Sequence, residues 1–184
     1  MRELSLHLLD IAENSIAAGA KNITITIRED TTADRLYLSV QDDGKGMDEE
    51  MVKRVTDPFV TTRTTRKVGL GIPLLKAAAE ACNGWLKIHS KLGEGTLVEV
   101  EFQRSHIDRM PLGDVAGTFL TLLVGNPQIH WVFRYSVDSE IFELDDQQIK
   151  QELQDIPLSD PLVLSYLREL MESNIRSLQT TPIY

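Results

Sequence analysis

The chain has 184 residues, a formal net charge of −9 and 42% hydrophobic content, enough for one good core with room for a small appendage. That acidity argues against nucleic acid as a partner, because phosphate backbones are held mainly by Lys and Arg. No apolar run approaches the ~20 residues of a membrane helix, Met1 to Ser5 carry no signal-peptide pattern, and the lone Cys82 is expected in the core of a protein kept in a reducing cytoplasm.

In chain order, Leu4, Leu8, Ile11, Ala12 and Ile16 recur at helical spacing and predict a helix over 4–18 with one apolar face. His7, Asp10 and Asn14 are expected on the opposite side. Asp10 and Asn14 stand four residues apart and project together. A stacked carboxylate and carboxamide suit a hydrated hard cation or a water to be deprotonated; a solvated helix face is the plain alternative. Strands are predicted near 22–28 and 35–42, the second ending in Asp42-Asp43-Gly44-Lys45-Gly46-Met47. A carboxylate followed by a glycine pair at a strand end lets backbone approach a flat polar ligand, though Asp and Gly also make ordinary turns.

A helix over 48–55 precedes Asp57-Pro58-Phe59-Val60 and the acid-free run Thr61-Thr62-Arg63-Thr64-Thr65-Arg66-Lys67. This run leads through Val68-Gly69-Leu70-Gly71-Ile72-Pro73 into a helix over 69–82. Cations ahead of a glycine-rich helix start suit an anion, since free amides and the helix dipole converge there; a basic surface loop is the alternative. No Walker loop is present. Trp85 to Ser90 and Thr96 to Phe102 alternate as a hairpin around Lys91-Leu92-Gly93-Glu94-Gly95, with the Thr96 hydroxyl at the start of its second strand.

The alternation stops near Arg104 to Gly113, which marks a boundary. Residues 1–104 hold 14 Lys/Arg against 16 Asp/Glu, and residues 105–184 hold 5 against 12. Val115 to Val124 reads as a helix, Ile129 to Tyr135 and Glu140 to Leu144 as a second hairpin, and Asp145 with Gln148 as a capping box for a helix through Leu153. A last helix starts at Ser159-Asp160-Pro161 and carries the stripe Leu162, Tyr166, Leu167, Leu170, Met171, Ile175 and Leu178. The acidic part favours solubility or a basic partner surface. Asp138, Glu140 and Glu143 read as a solvated hairpin edge. The four histidines, His7, His89, His106 and His130, share no metal-ligand spacing.

In this order, D-x-x-x-N on a helix, D-x-G-x-G after a strand, P-F before a Thr/Arg run, G-x-G opening a helix and then G-x-G-T resemble the Bergerat-fold ATP-binding domain of the GHKL superfamily. Type II topoisomerases, heat-shock chaperones, histidine kinases, MutL mismatch-repair proteins and anti-sigma-factor serine kinases belong to that superfamily. The run Glu13 to Ile25 is especially similar to the MutL version, and Asp57 to Phe102 to the histidine-kinase version. The resemblance covers residues 4–102. It implies an α+β fold, a two-layer α/β sandwich with a mixed sheet and helices on one face, as an ATP-binding domain over 1–104 with a small acidic α+β appendage over 105–184.

The resemblance also implies roles. Asp42 would accept from the adenine amino group, directly and through a water shared with Thr96. Gly44 and Gly46 would let the purine lie on backbone, and Met47 would help to close the pocket. Asn14 would coordinate magnesium between the phosphates. Thr61, Thr62, Arg63, Arg66 and Lys67 would cover the phosphates, with amides from Gly69, Leu70 and Gly71. Asp10 stands where hydrolysing members and serine kinases carry Glu as general base and histidine kinases carry Asn. Its reach is shorter by roughly one bond length, which implies slow hydrolysis. With no phosphoacceptor helix ahead of the motifs and too little chain behind for a transducer domain, a stand-alone module is expected. It would hydrolyse ATP or transfer its phosphate to a partner protein, or serve as a nucleotide-gated switch; a homodimer is possible.

Overall fold

The structure, a computed structural model, describes residues 3–57, 59 and 71–180. Helix α1 (Leu4–Ala17) leads into strands β1 (Asn22–Asp30) and β2 (Arg35–Asp42), then helices α2 (Glu49–Thr56) and α3 (Gly71–Ala81) and the hairpin β3 (Trp85–Lys91) and β4 (Gly95–Gln103). Helix α4 (Val115–Gly125), strands β5 (His130–Val137) and β6 (Glu140–Asp145), and helices α5 (Asp146–Leu153) and α6 (Pro161–Thr180) follow.

Six strands form one sheet in the order β3-β4-β2-β1-β5-β6. All neighbours are antiparallel except β1 and β5, which run parallel with Asn22 opposite His130 and Ile25 opposite Phe133. Successive side chains of a strand point to opposite faces, so Ile23, Ile25 and Ile27 share one face with Leu36, Leu38, Val40, Val98, Val100, Phe102, Trp131, Phe133 and Tyr135. All of these are buried in a single apolar cluster that also takes residues of α1, α3, α4 and α6. The helices cover that face. The other face is polar: Tyr37 donates to Glu99 Oε1 at 2.7 Å, Arg35 pairs with Glu101, and Arg28 lies over the Tyr37 ring.

Residues 105–180 are thus joined to the earlier strands by backbone pairing and by core. Phe119 of α4 packs on Trp131 and Phe133 of β5, with ring centroids 6.3 and 5.3 Å apart. Helix α5 starts with a simpler device than a capping box: Asp145 accepts from Gln147 N at 2.9 Å, and no return bond from Gln148 accompanies it among the described residues. Asp138 and Glu143 are likewise engaged, Asp138 by the Thr31 amide and hydroxyl and Glu143 by Arg134.

His7, expected on the polar side of α1, is buried instead. Helix α1 is packed against the sheet, α3 and α4, so little of its circumference remains for solvent. The His7 ring lines a small internal cavity with Leu8, Ile11, Leu38 and Leu75, its Nδ1 has no partner among the described residues, and burial holds the imidazole below its usual range against a smaller pull from Asp10.

Candidate functional site

Strand β2 ends in Asp42, which lines a cleft of about 190 Å³ between α1, α2, the start of α3 and the sheet. The periodicity of three elements makes its walls. Ile11, Asn14, Ser15, Ala17 and Ala18 come from the inner side and end of α1, Met51 and Val55 from one side of α2, and Thr96 and Val98 from the helix-covered side of β4. Lys45, Gly46 and Met47 close it from the loop after β2, and Ile72 from α3. The lining is mainly apolar with a few converging polar groups, the usual build of a small-molecule site.

Asp42 sits on the floor opposite Thr96 in the antiparallel register. One carboxylate oxygen accepts from Ser15 Oγ at 2.6 Å and the other from Gly44 N at 2.9 Å. Ser90 Oγ and Thr96 Oγ1 lie 2.7 Å apart, and Met47 N donates to Ser90 Oγ at 2.8 Å, so the loop after β2 is pinned to the hairpin. Backbone adds to this: Lys45 N donates to Ala18 O and Gly93 N to Lys45 O. The glycines are steric necessities. A side chain on Gly46, at φ +69°, would put Cβ 2.0 Å from Lys91 O, and one on Gly44 would meet Ala18 at 2.9 Å.

Asp43 points away from the cleft. It accepts from Lys21 N, Asn22 N and Asn22 Nδ2 at 2.7, 2.9 and 2.7 Å. Burial works to raise its carboxyl, but the Asn22 side chain and these amides outweigh it and hold Asp43 below the usual carboxylate range.

Of the residues expected from the sequence, Asn14, Asp42, Gly46, Met47 and Thr96 line the cleft, with Gly44 in the turn beneath. Asp10 is one turn along α1 and outside the lining. Its Oδ2 faces the first residue of α3, 3.1 Å from where a Gly71 Cβ would sit, so the carboxylate stands at a helix start, where the dipole favours a negative charge. Thr61, Thr62, Arg63, Arg66, Lys67, Gly69 and Leu70 lie outside the described residues. Sequence reasoning missed Ser15, Ser90 and Lys45. The first follows Asn14 in a run already noted and the second faces Thr96 across the hairpin; Met51 and Val55 were missed as well, although their i, i+4 spacing puts them on one side of a helix.

The model of the histidine kinase-, DNA gyrase B- and HSP90-like ATPase family matches residues 2–106. The chain belongs to that family. Among curated proteins it is similar to sporulation kinase C of Bacillus subtilis, 34% identical over 98 residues that make 53% of this chain and 23% of the relative. The non-motile and phage-resistance protein of Caulobacter vibrioides is 32% identical over 111 residues, 55% of this chain and 13% of that protein. The chain spans less than a quarter of the length of these relatives.

Among solved structures, the N-terminal domain of a DNA repair protein aligns with TM-score 0.57 at 14% identity, over 79% of this chain and 53% of that one. The Aquifex aeolicus MutL ATPase domain complexed with ADP aligns with TM-score 0.52 at 14% identity, over 84% and 70%. At such identity the likeness is one of fold. It extends over more of the chain than the family match, hence past residue 106.

Proposed function

We propose that this chain binds ATP with magnesium in the cleft above Asp42, and that Asp10 directs slow hydrolysis of the terminal phosphate or its transfer to a partner protein. The observation that carries the reading is the Asp42 carboxylate at the floor of an apolar cleft, flanked by Thr96 and tied to Ser15 and Gly44. A carboxylate there accepts from an exocyclic amine, and Ile11, Ile72, Val98, Met47 and Met51 offer surfaces to a purine ring. The family membership supplies the nucleotide class, and the MutL domain of like fold is a complex with ADP.

The residues present suit magnesium. The Asn14 carboxamide lines the cleft and makes no side-chain hydrogen bond among the described residues, and this ion takes one or two protein oxygens with water and phosphate completing its shell. Magnesium at Asn14 would neutralise charge between the phosphates. Gly71 would give its amide to them, and the Thr61, Thr62, Arg63, Arg66, Lys67, Gly69 and Leu70 run would cover them. Asp10 stands beside that same helix start, which supports its role as the base acting on an attacking water or hydroxyl. The protein works in the cytoplasm, with another protein or a second copy of itself as partner.

A second reading has an observation in its favour: Asp10 is a short carboxylate outside the cleft lining. In that reading ATP binding creates or hides a partner surface, with chemistry incidental. Terminally labelled ATP and magnesium, incubated with purified protein and with cell extract, decide between them. In Asp42→Ala binding is expected to be abolished. In Asp10→Asn label release to water or protein is expected to drop by more than about tenfold from the wild-type rate with ATP affinity retained; equal, negligible rates in wild type and Asp10→Asn would leave the switch.

A further inference from the structure

Four strand ends meet beside the Asp42 loop: the start of β1, the end of β2, the start of β5 and the end of β6. Asn22 and His130 are partners in the parallel register, and His130 N donates to Lys21 O at 2.9 Å. The Asn22 amide has one possible rotation. A carboxylate accepts only, so Nδ2, at 2.7 Å, faces Asp43 Oδ2 and Oδ1 is turned toward His130, whose Nδ1 lies 3.0 Å away. On the other side of the ring, Nε2 is 2.9 Å from Asp145 Oδ1 and 3.8 Å from Asp146 Oδ1.

With Asn22 Oδ1 on one side and the Asp145 carboxylate on the other, both ring nitrogens face acceptors, an arrangement that a doubly protonated ring satisfies at both ends. The charged groups around it come from each neighbour: Asp145 from β6, Asp146 and Lys150 from α5, and Asp43 behind Asn22. Asp146 is fully buried, accepts from Trp131 N at 3.0 Å and pairs with Lys150 Nζ at 2.7 Å. The ammonium beside Asp146 disfavours a metal ion and leaves the His130 ring as the partner of Asp145.

We propose that His130 is a positioning residue for the nucleotide: through Asn22 it fixes the Asp43 carboxylate, and through Asp43 the loop that carries Asp42, Gly44 and Gly46. The proposal rests on the nucleotide reading above. When the ring loses a proton, the remaining one stays on Nε2 between the carboxylates, the stronger acceptors. Nδ1 then turns a lone pair on Asn22 Oδ1, the amide rotates, and Asp43 loses its side-chain donor. Protonation of a residue beyond the family-matched span thereby sets the geometry of the adenine acceptor.

The test measures ATP affinity with magnesium by calorimetry from about pH 5.5 to about pH 8.5, the range in which imidazoles titrate. It uses the full chain and the variants His130→Gln, Asn22→Ala and Asp42→Ala. The nucleotide phosphates titrate in the same range, so the readout is the difference from His130→Gln, which shares that contribution. The full chain is expected to lose an additional threefold to tenfold in affinity as pH rises, about what one hydrogen bond is worth, and Asn22→Ala is expected to follow His130→Gln.

Reciprocity gives a check that needs no variant. Saturating ATP should raise the His130 titration midpoint, followed by proton NMR of the ring, by roughly half to one pH unit. Equal slopes in all chains, a slope retained in Asn22→Ala, or an unmoved midpoint overturns the role of His130. No ATP binding by the full chain at any pH, or unchanged binding by Asp42→Ala, instead overturns the nucleotide reading itself.

Discussion

Gly46 and Gly95 interlock. The first, at φ +69°, stands against Lys91 O, and the second, at φ +107°, has Asp42 O 2.0 Å from where its Cβ would be. Each occupies space that only a bare backbone leaves free, so the loop after β2 and the hairpin turn share one surface. Gly46→Ala is expected to lower ATP affinity by more than about tenfold and to destabilise the fold by roughly 1–3 kcal/mol, the size of local backbone strain; calorimetry and thermal melts check the two effects. The D-x-G-x-G string was legible because turn chemistry is written in consecutive residues. Ser15 was not, because its use depends on Asp42 arriving 27 positions later at hydrogen-bond distance. His7 was misread for a related reason: helical periodicity tells which residues share a face, and not how many faces are covered.

At the level of elements, β1, β5 and α6 are locked by one buried acid. Glu29 accepts from the Tyr135 hydroxyl, from Arg104 Nε at 2.6 Å and more distantly from Gln179 near the end of α6, which also donates to the Tyr135 oxygen at 2.8 Å. Burial tends to raise the Glu29 carboxyl, but the Tyr135, Arg104 and Gln179 bonds win and hold it below the usual carboxylate range. A depressed carboxyl adds stability that is present above its ordinary range and is lost as pH falls through its folded value. Thermal melts should therefore show wild type weakening as pH falls through and below the usual carboxylate range, with a shallower acid loss in Glu29→Gln. That variant is expected to be less stable at neutral pH by about 2 kcal/mol, as for a hydrogen bond to a charged group. The strands themselves were readable from alternation, whereas the pairing of β5 with β1 was not. A parallel pair leaves no turn signature, and its register follows from what packs on the shared face.

Across the whole molecule, one core serves both halves of the chain. Trp131, Phe133 and Tyr135 are buried against α4, α6 and the isoleucines of β1. Trp131→Ala is expected to cost about 3–5 kcal/mol, seen in denaturant melts as a single transition in which the strands before residue 105 and those after it lose structure together.

The parallel junction of β1 and β5 also has a cost during synthesis on the ribosome. Strand β1 pairs with β2 early, but its other edge waits until residue 137 has been made. Until then the nascent protein displays a bare edge backed by three isoleucines, a template for the wrong neighbour. The same non-local pairing slows the final closure of the sheet, so a cell making this protein has reason to shield its first hundred or so residues.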